Sequence, residues 1–452
     1  MAIPFRRILV ANRGEIALRI IRACRELGLE TVQVYSEADR ESLPVRVADR
    51  ALCIGGPRAS DSYLNPETIV SAARTQRADA IHPGYGFLSE NADFAALCAR
   101  EGIVFIGPSP DAIAQMGDKA TAKRIAAEAG VPTVPGSAGA VRDVAEVSAI
   151  AMRVGFPVLL KASAGGGGRG IRIVRSDAEL ANAYADAARE AKAAFGDDSI
   201  YVERFLTNVR HVEVQILSDG ETVLHLGERD CSVQRRNQKL AEESPSPVVD
   251  ESLRAAIGAA AVRLCRRVGY TSAGTVECIV DGASGRLYFM EMNTRIQVEH
   301  PVTEMVTGID IVKAQIRIAE GRPLDLGQSD VRLRGHAIEC RINAEDPDHT
   351  FAPCPGEIRD FHPPGGPGIR VDSHVFDRYR VPPYYDSLLA KLIAWGNDRE
   401  EAVARMRRAL DEMTIDGVKT TIPFHQKLVR DERFRRGEIH TRFVEDQLLE
   451  QR

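Results

Sequence analysis

The run Glu291-Met-Asn-Thr-Arg-Ile-Gln-Val-Glu299 sets five polar side chains at alternate positions. In an extended strand, alternate side chains share a face. Glu291, Asn293, Arg295, Gln297 and Glu299 are therefore expected on one face, with Met292, Ile296 and Val298 anchored in a core on the other. Two carboxylates, two amides and a guanidinium in a row can hold a cation and an anion side by side. A solvated strand has no need of such a row. The run is expected to form one wall of a metal-and-anion site that stops at His300-Pro301.

A second carboxylate set stands nearby. Strand runs at 274–280 and 286–293 flank the turn Asp281-Gly-Ala-Ser-Gly285. A register symmetric about residue 283 puts Thr275, Glu277, Phe289 and Glu291 on one face, beside Asn293. Carboxylates this close are unfavourable unless a cation sits between them, and hard oxygen ligands suit Mg²⁺ or Mn²⁺ carrying nucleotide phosphates. Exposed glutamates on a solvated strand are common. Here the neighbours Val276, Cys278, Tyr288 and Met290 imply a sheet packed on its other side.

The third constellation is Lys161-Ala-Ser-Ala-Gly-Gly-Gly-Gly-Arg-Gly170, which formally contains GxGxxG at Gly165, Gly167 and Gly170. A dinucleotide fold requires a helix next, but Ile171-Arg-Ile-Val174 alternates as a strand, and no Lys-Ser/Thr follows to make a Walker loop. A glycine loop between two strands can fold its amides over phosphates. Four consecutive glycines give up too much conformational restriction to serve as a mere turn. Lys161 at the loop's mouth is expected as a phosphate counter-charge; Lys119 taken alone would be an ordinary surface lysine.

These groups need elements to position them. Ile8-Leu-Val-Ala11 reads as a buried strand, Gly14 to Leu27 as a helix closed by Gly28, and Thr31 to Tyr35 as a second strand. This βαβ order predicts a parallel sheet with helices on both faces. A helix over Asp118 to Ala129, a Pro/Gly-rich linker and a helix after Ser176, with Glu179 completing a capping box, surround the glycine loop. His211-Val-Glu-Val-Gln-Ile216 opens a mostly antiparallel stretch, and residues 331–452 begin with strands and end in helices such as 399–413.

With 452 residues the chain should form several domains. Its 59 basic and 64 acidic residues give a net charge of −5, which offers no case for nucleic acid as the main partner. The eight cysteines show no metal-ligand spacing, so buried thiols in a reduced cytoplasm are expected. No apolar run could span a membrane.

The glycine-rich hairpin, the lysine before it and the Glu…Glu-x-Asn set resemble the ATP-grasp superfamily. The blocks Ala11-Asn-Arg-Gly-Glu-Ile-Ala17, His82-Pro-Gly-Tyr-Gly-Phe-Leu-Ser-Glu90, Glu291 to Pro301 and Glu339-Cys-Arg-Ile-Asn-Ala-Glu345 look like the biotin carboxylase family, and the likeness covers nearly the whole chain. The resemblance implies an α/β and α+β multidomain fold. Residues 1–115 would be a Rossmann-like parallel sheet, 116–330 an ATP-grasp domain with a lid at about 131–205, and 331–452 a C-terminal mixed α+β domain. It further implies carboxylation of biotin with ATP and bicarbonate. Lys119, Lys161, Gly167, Gly168, Glu203, Arg204, Phe205, Leu206, His211 and Asn237, with Glu277 and Glu291, would hold ATP. Glu277, Glu291 and Asn293 would hold Mg²⁺ or Mn²⁺. Lys239, Arg295, Gln297 and Val298 would bind bicarbonate, Glu299 would deprotonate it, and Arg341 and Tyr85 would meet biotin.

Two positions depart from the family pattern: Asn237 stands where many members carry histidine, and Ser244 replaces a frequent alanine. His82 and His300, each beside a proline, are expected to be structural, and Cys231 a packing thiol. No Met-Lys-Met occurs, so biotin is expected on a separate carrier protein, with a separate carboxyltransferase and a homodimeric assembly. The competing expectations are an ATP-grasp ligase joining a carboxylate to an amine, and a nucleotide-sensing protein without catalysis.

Overall fold

The computed structural model describes residues 4–137, 139–162, 171–282 and 284–449. The first strand, β1 (Arg7–Val10), has an apolar run with no polar face to solvate, and it lies at the centre of a parallel sheet. Its partners are β2 (Glu30–Tyr35), β3 (Arg50–Cys53), β4 (Ala80–His82) and β5 (Val104–Phe105), in the order β3-β2-β1-β4-β5. The helix Gly14–Glu26 packs Ile16, Ile20 and Ile21 into the core beneath it. The chain turns from β1 into that helix at Gly14, whose φ of +68° suits glycine.

A small antiparallel sheet follows, made of β6 (Val158–Ala162), β7 (Ile171–Val174) and β8 (Ile200–Arg204) in the order β7-β6-β8. Lys161 lies opposite Ile171, so the glycine run connects paired strands. Gly165, Gly167, Gly168 and Gly170 themselves lie outside the described residues. The helix Asp177–Phe195 starts after Ser176 as expected, but the capping box does not form. Ser176 makes no side-chain cap bond, and the Glu179 carboxylate accepts from the backbone N–H of Arg175 instead, at 3.1 Å.

The site rests on one eight-stranded sheet. Its strands are β9 (Val209–Ser218), β10 (Val223–Arg235), β11 (Gln238–Ser244), β12 (Ser272–Asp281), β13 (Leu287–Asn293), β14 (His336–Asn343), β15 (Ile369–Ser373) and β16 (Leu388–Gly396). They run in the order β13-β12-β9-β10-β11-β14-β16-β15. Because β11 pairs with β14, the ladder runs unbroken across residues 330 and 331. On one face Val212, Val214, Ile216, Val276 and Cys278 pack against Ile257, Ala261 and Leu264 of the helix Glu251–Arg267. The other face presents His211, Glu213, Gln215, Thr275 and Glu277, all buried.

The β12–β13 hairpin forms, with its register shifted from the symmetric expectation. Glu277 pairs directly with Glu291 and Thr275 with Asn293, while Cys278 pairs with Phe289, leaving Met290 as a bulge. The run 291–299 also differs from a continuous strand. Pairing ends at Asn293, the chain turns, and the helix His300–Thr307 begins with Pro301 in its first turn, where proline is tolerated. Met292 and Ile296 are buried in the core, but Val298 is only half-buried and faces a cavity.

Candidate active site

Four adjacent strands each place one charged residue in the same transverse row. Arg229 on β10 lies opposite Glu213 on β9, Glu213 opposite Glu277 on β12, and Glu277 opposite Glu291 on β13. Three neighbouring carboxylates repel one another, so cations must interleave. Arg229, wholly buried, donates to Glu213 Oε1 at 2.6 Å and spends its remaining donors on Gln215, Thr275, Thr303 and Gln297 at 2.6–3.2 Å. Lys239 reaches over from β11, its Nζ 2.7 Å from Glu213, 3.0 Å from Glu277 and 2.6 Å from Glu299. The Asn293 and Gln297 amides each donate to Glu277 Oε1 at 2.8 Å, and His211 Nε2 is 3.2 Å from Glu277 Oε2.

The two glutamates at the end of the row differ as a result. Burial would raise Glu277, but Lys239 and His211 hold its carboxyl well below the usual range. Burial and the neighbouring Glu277 charge push Glu291 up. A divalent cation beside Glu291 would remove that repulsion, and Glu277, Glu291 and Asn293 can all supply oxygen. These residues fit the Mg²⁺ or Mn²⁺ expected from the sequence.

Beyond Asn293 the turn builds a second wall of charged groups. Arg295 is aimed by Glu90, which accepts from its Nε at 2.9 Å and from the Thr294 backbone N–H at 2.9 Å. Glu299 sits between Lys239 and Arg341, whose Nη2 is 3.0 Å from Glu299 Oε2. Burial alone would raise the Glu299 carboxyl; Lys239, Arg341 and Arg229 instead hold it below the usual carboxylate range. The Val298 carbonyl accepts from the buried Lys391 Nζ at 3.0 Å. Gln297 has both ends of its amide engaged, by Arg229 and Glu277.

These groups line a cavity of about 710 Å³. Lys119, Lys123 and Lys161 also line it, as do His211 and Asn237. Glu203 pairs with Lys161 at 2.6 Å and with Lys123. Burial and the charge of Lys119 lower Lys161 to about 8, and burial with the charges of Lys161 and Lys119 lowers Lys123 to about 8. Such a cluster of crowded ammonium groups suits a polyphosphate, which would restore their full charge. Arg204, Phe205 and Leu206 follow at the end of β8 and do not line this cavity. Asn237 occupies the two-residue loop between β10 and β11, where Arg236 and Asn237 have φ of 47° and 65°. Positive φ at both positions marks a type I′ hairpin, for which asparagine is among the favoured residues.

A second cavity of about 520 Å³ lies on the other side of Arg295, Val298 and Arg341, which line both. Tyr85 lines it, with its hydroxyl on Glu15. Tyr384 and Tyr385 complete its apolar side. His82 and His300 are buried and held neutral. His82 Nδ1 accepts from the Gly84 N–H at 3.1 Å, and His300 Nδ1 lies 2.8 Å from the Gln297 carbonyl. Burial raises the Cys231 thiol well above its ordinary value, as a packing role requires. Sequence reasoning missed Arg229, Glu213, Lys123 and Glu90. Only Lys123 left a local signal, one helical turn after Lys119 on the helix Lys119–Glu128. Among the described residues, no helix is long and apolar enough to cross a membrane.

Three family models match successive stretches of the chain. Residues 4–113 match the biotin carboxylase N-terminal domain, 118–327 the carbamoyl-phosphate synthase L chain ATP-binding domain, and 339–446 the biotin carboxylase C-terminal domain. A biotin carboxylase of Nostoc sp. is 58% identical over 98% of this chain and 99% of its own length. A pyruvate carboxylase subunit of Methanothermobacter thermautotrophicus is 53% identical over 98% of this chain and 90% of its own. Among solved structures, the biotin carboxylase domain dimer of Hydrogenobacter thermophilus 2-oxoglutarate carboxylase, in complex with MgADP, ADP and bicarbonate, superposes with a TM-score of 0.92. It is 54% identical and covers 98% of this chain and 97% of that one. The chain belongs to the biotin carboxylase family.

Proposed function

We propose that this protein carboxylates biotin, carried on a separate protein, using ATP and bicarbonate. The observation that carries the reading is the partition between the two cavities. Lysines and a carboxylate pair suited to a metal nucleotide occupy one, and Arg295, Val298 and Arg341 separate it from the other. Mg²⁺ or Mn²⁺ held by Glu277, Glu291 and Asn293 would neutralise charge on the transferring phosphoryl group.

The chain's own residues supply the rest. Lys119, Lys161 and Lys123 hold the phosphates, Glu203 orients Lys161 and Lys123 by pairing with them, and His211 and Asn237 frame the nucleotide. Lys239, Arg295 and the Val298 backbone hold bicarbonate, a small anion that a guanidinium grips with fixed geometry. Gln297, fixed between Arg229 and Glu277, keeps the bicarbonate wall in register. Glu299 takes the bicarbonate proton as the bicarbonate oxygen bonds to the γ-phosphorus of ATP and ADP leaves, which forms carboxyphosphate. Cleavage of the carboxyphosphate C–O bond releases CO₂ and phosphate. The phosphate takes the biotin N–H proton, and the biotin nitrogen bonds to the CO₂ carbon. Arg341, which faces the second cavity as well, stabilises the enolate oxygen with Tyr85 against the ring.

The same reading extends to the assembly. A carrier protein, a carboxyltransferase and a second copy of this chain complete the enzyme, in a reduced cytoplasm that leaves all eight cysteines as free thiols. Acetyl-CoA is our proposed final acceptor, placing the protein in fatty acid synthesis; the likeness to a pyruvate carboxylase component keeps pyruvate as the second reading. The test is ATP hydrolysis by the purified chain. Hydrolysis should require bicarbonate and rise with free biotin, and hydrolysis driven by an amine in place of bicarbonate would overturn the reading.

A further inference from the structure

Beneath Arg341 the sheet holds a carboxyl pair that none of the steps above uses. Glu242 on β11 and Glu339 on β14 are directly opposed in register, and both are buried, at 1% and 0% exposure. Arg341 lies two residues beyond Glu339, hence on the same face. It grips Glu242 Oε1 from behind, with Nε at 2.7 Å and Nη2 at 2.5 Å, while Nη2 reaches Glu299 at 3.0 Å on the other side. Among the described residues, Glu242 Oε2 and both Glu339 oxygens have no hydrogen-bond partner. An ionised, unpartnered carboxylate in such a place is costly, and a neutral one is not.

We propose that Glu242 is the positioning residue that keeps Arg341 aimed at the second cavity, and that Glu339 beside it holds a proton so that the pair carries a single negative charge. The chemistry of the proposed reaction, on whose assignment of Arg341 this rests, explains the need. Glu299 must give up its bond to Arg341 when it takes the bicarbonate proton, because a protonated carboxyl no longer attracts the guanidinium. Arg341 would then be free to swing unless a second carboxylate held it. Glu242 supplies that hold from within the sheet, out of reach of either substrate. If Glu339 were also ionised, two charges behind the guanidinium would draw it away from the cavity.

The groups facing the pair set the two carboxyls apart. Arg341, Glu299 and Lys239 act on Glu242, and burial brings its carboxyl up to about 7. Glu339 faces Lys391, Glu242, Arg341 and Glu299, and burial pushes it well above the carboxylate range.

The test uses the full chain with free biotin as acceptor. Glu242→Gln should lower kcat/KM for biotin about tenfold to hundredfold, the loss expected when a charge-assisted hydrogen bond is weakened. The KM for ATP and the biotin-independent, bicarbonate-dependent ATP hydrolysis should stay within twofold. Glu339→Gln, an amide in place of a protonated carboxyl, should leave both reactions within twofold. Unchanged biotin kinetics in Glu242→Gln would overturn the positioning role. A loss in Glu339→Gln equal to that in Glu242→Gln would overturn the proton assignment. Should either variant fold poorly, the infrared spectrum of the wild-type protein at pH 8 decides the proton: a protonated carboxylic C=O band shifted by labelled glutamate supports it, and its absence refutes it. Arg341→Met separates the two levels. If that variant keeps wild-type biotin kinetics, the assignment of Arg341 fails; if it loses them while Glu242→Gln does not, only the present inference fails.

Discussion

Glu299 faces Lys239 and Arg341 at hydrogen-bond distance, and the two hold its carboxyl in the ionised form. An arriving bicarbonate competes for the same cations and adds a negative charge of its own; both effects raise the carboxyl and make it a better base. Glu299→Gln keeps the shape and removes the proton acceptor. Bicarbonate-dependent turnover should fall about a hundredfold or more, with nucleotide affinity by calorimetry unchanged; undiminished turnover would refute the role. The residues of this wall were legible in the sequence because their types and their spacing are both unusual. Arg229 was not, although it is the hub of the buried row. It stands in Gly227-Glu-Arg-Asp-Cys231, which looks like solvated surface, and its burial comes from strands β9 and β12 and from Thr303, all supplied by other parts of the chain.

At the scale of elements, the hairpin of β12 and β13 was legible from its turn and alternating residues, whereas its register was not. The Met290 bulge leaves no mark in the alternation, yet it is what brings Glu277 and Glu291 face to face. The run 291–299 alternates like a strand throughout but turns after Asn293, because Thr294 and Arg295 are held by Glu90 from more than 200 positions away. The loop Arg236-Asn237 sets where Lys239 begins its reach, and its left-handed backbone favours asparagine or glycine over a β-branched residue. Asn237→Gly should therefore retain stability and the KM for bicarbonate, with any loss confined to the KM for ATP. Asn237→Val should lose about 1–2 kcal/mol in urea unfolding and should raise the KM for bicarbonate. Equal behaviour of the two variants would show that the turn conformation does not position Lys239.

Across the whole molecule, the transverse row on the central sheet is sealed by its neighbours on both sides. The helix after β1 lends Glu15, the loop after β4 lends Tyr85 and Glu90, and the C-terminal strands lend Arg341 and Lys391. Three buried histidines stand at these junctions. Burial lowers His82 and His374 to about 3 and His425 to about 4. Their unfolded value is 6.5, so between that pH and about 4 the unfolded chain binds protons that the folded chain refuses. Their stabilising effect is complete above pH 6.5 and is lost as the pH falls below it. The urea midpoint should drop between pH 7 and pH 5, and the drop should be smaller in His82→Gln, whose amide oxygen can still accept from the Gly84 N–H. An equal drop in that variant would exclude His82 as a source.

One site should join bicarbonate, ATP and biotin in a single sequence of steps. Incubating the purified chain with radiolabelled bicarbonate, Mg-ATP and free biotin tests it most directly. Acid-labile label should appear on biotin and disappear when ATP is omitted or when Glu299→Gln replaces the wild type. ATP hydrolysis with no label on biotin under any condition would contradict it.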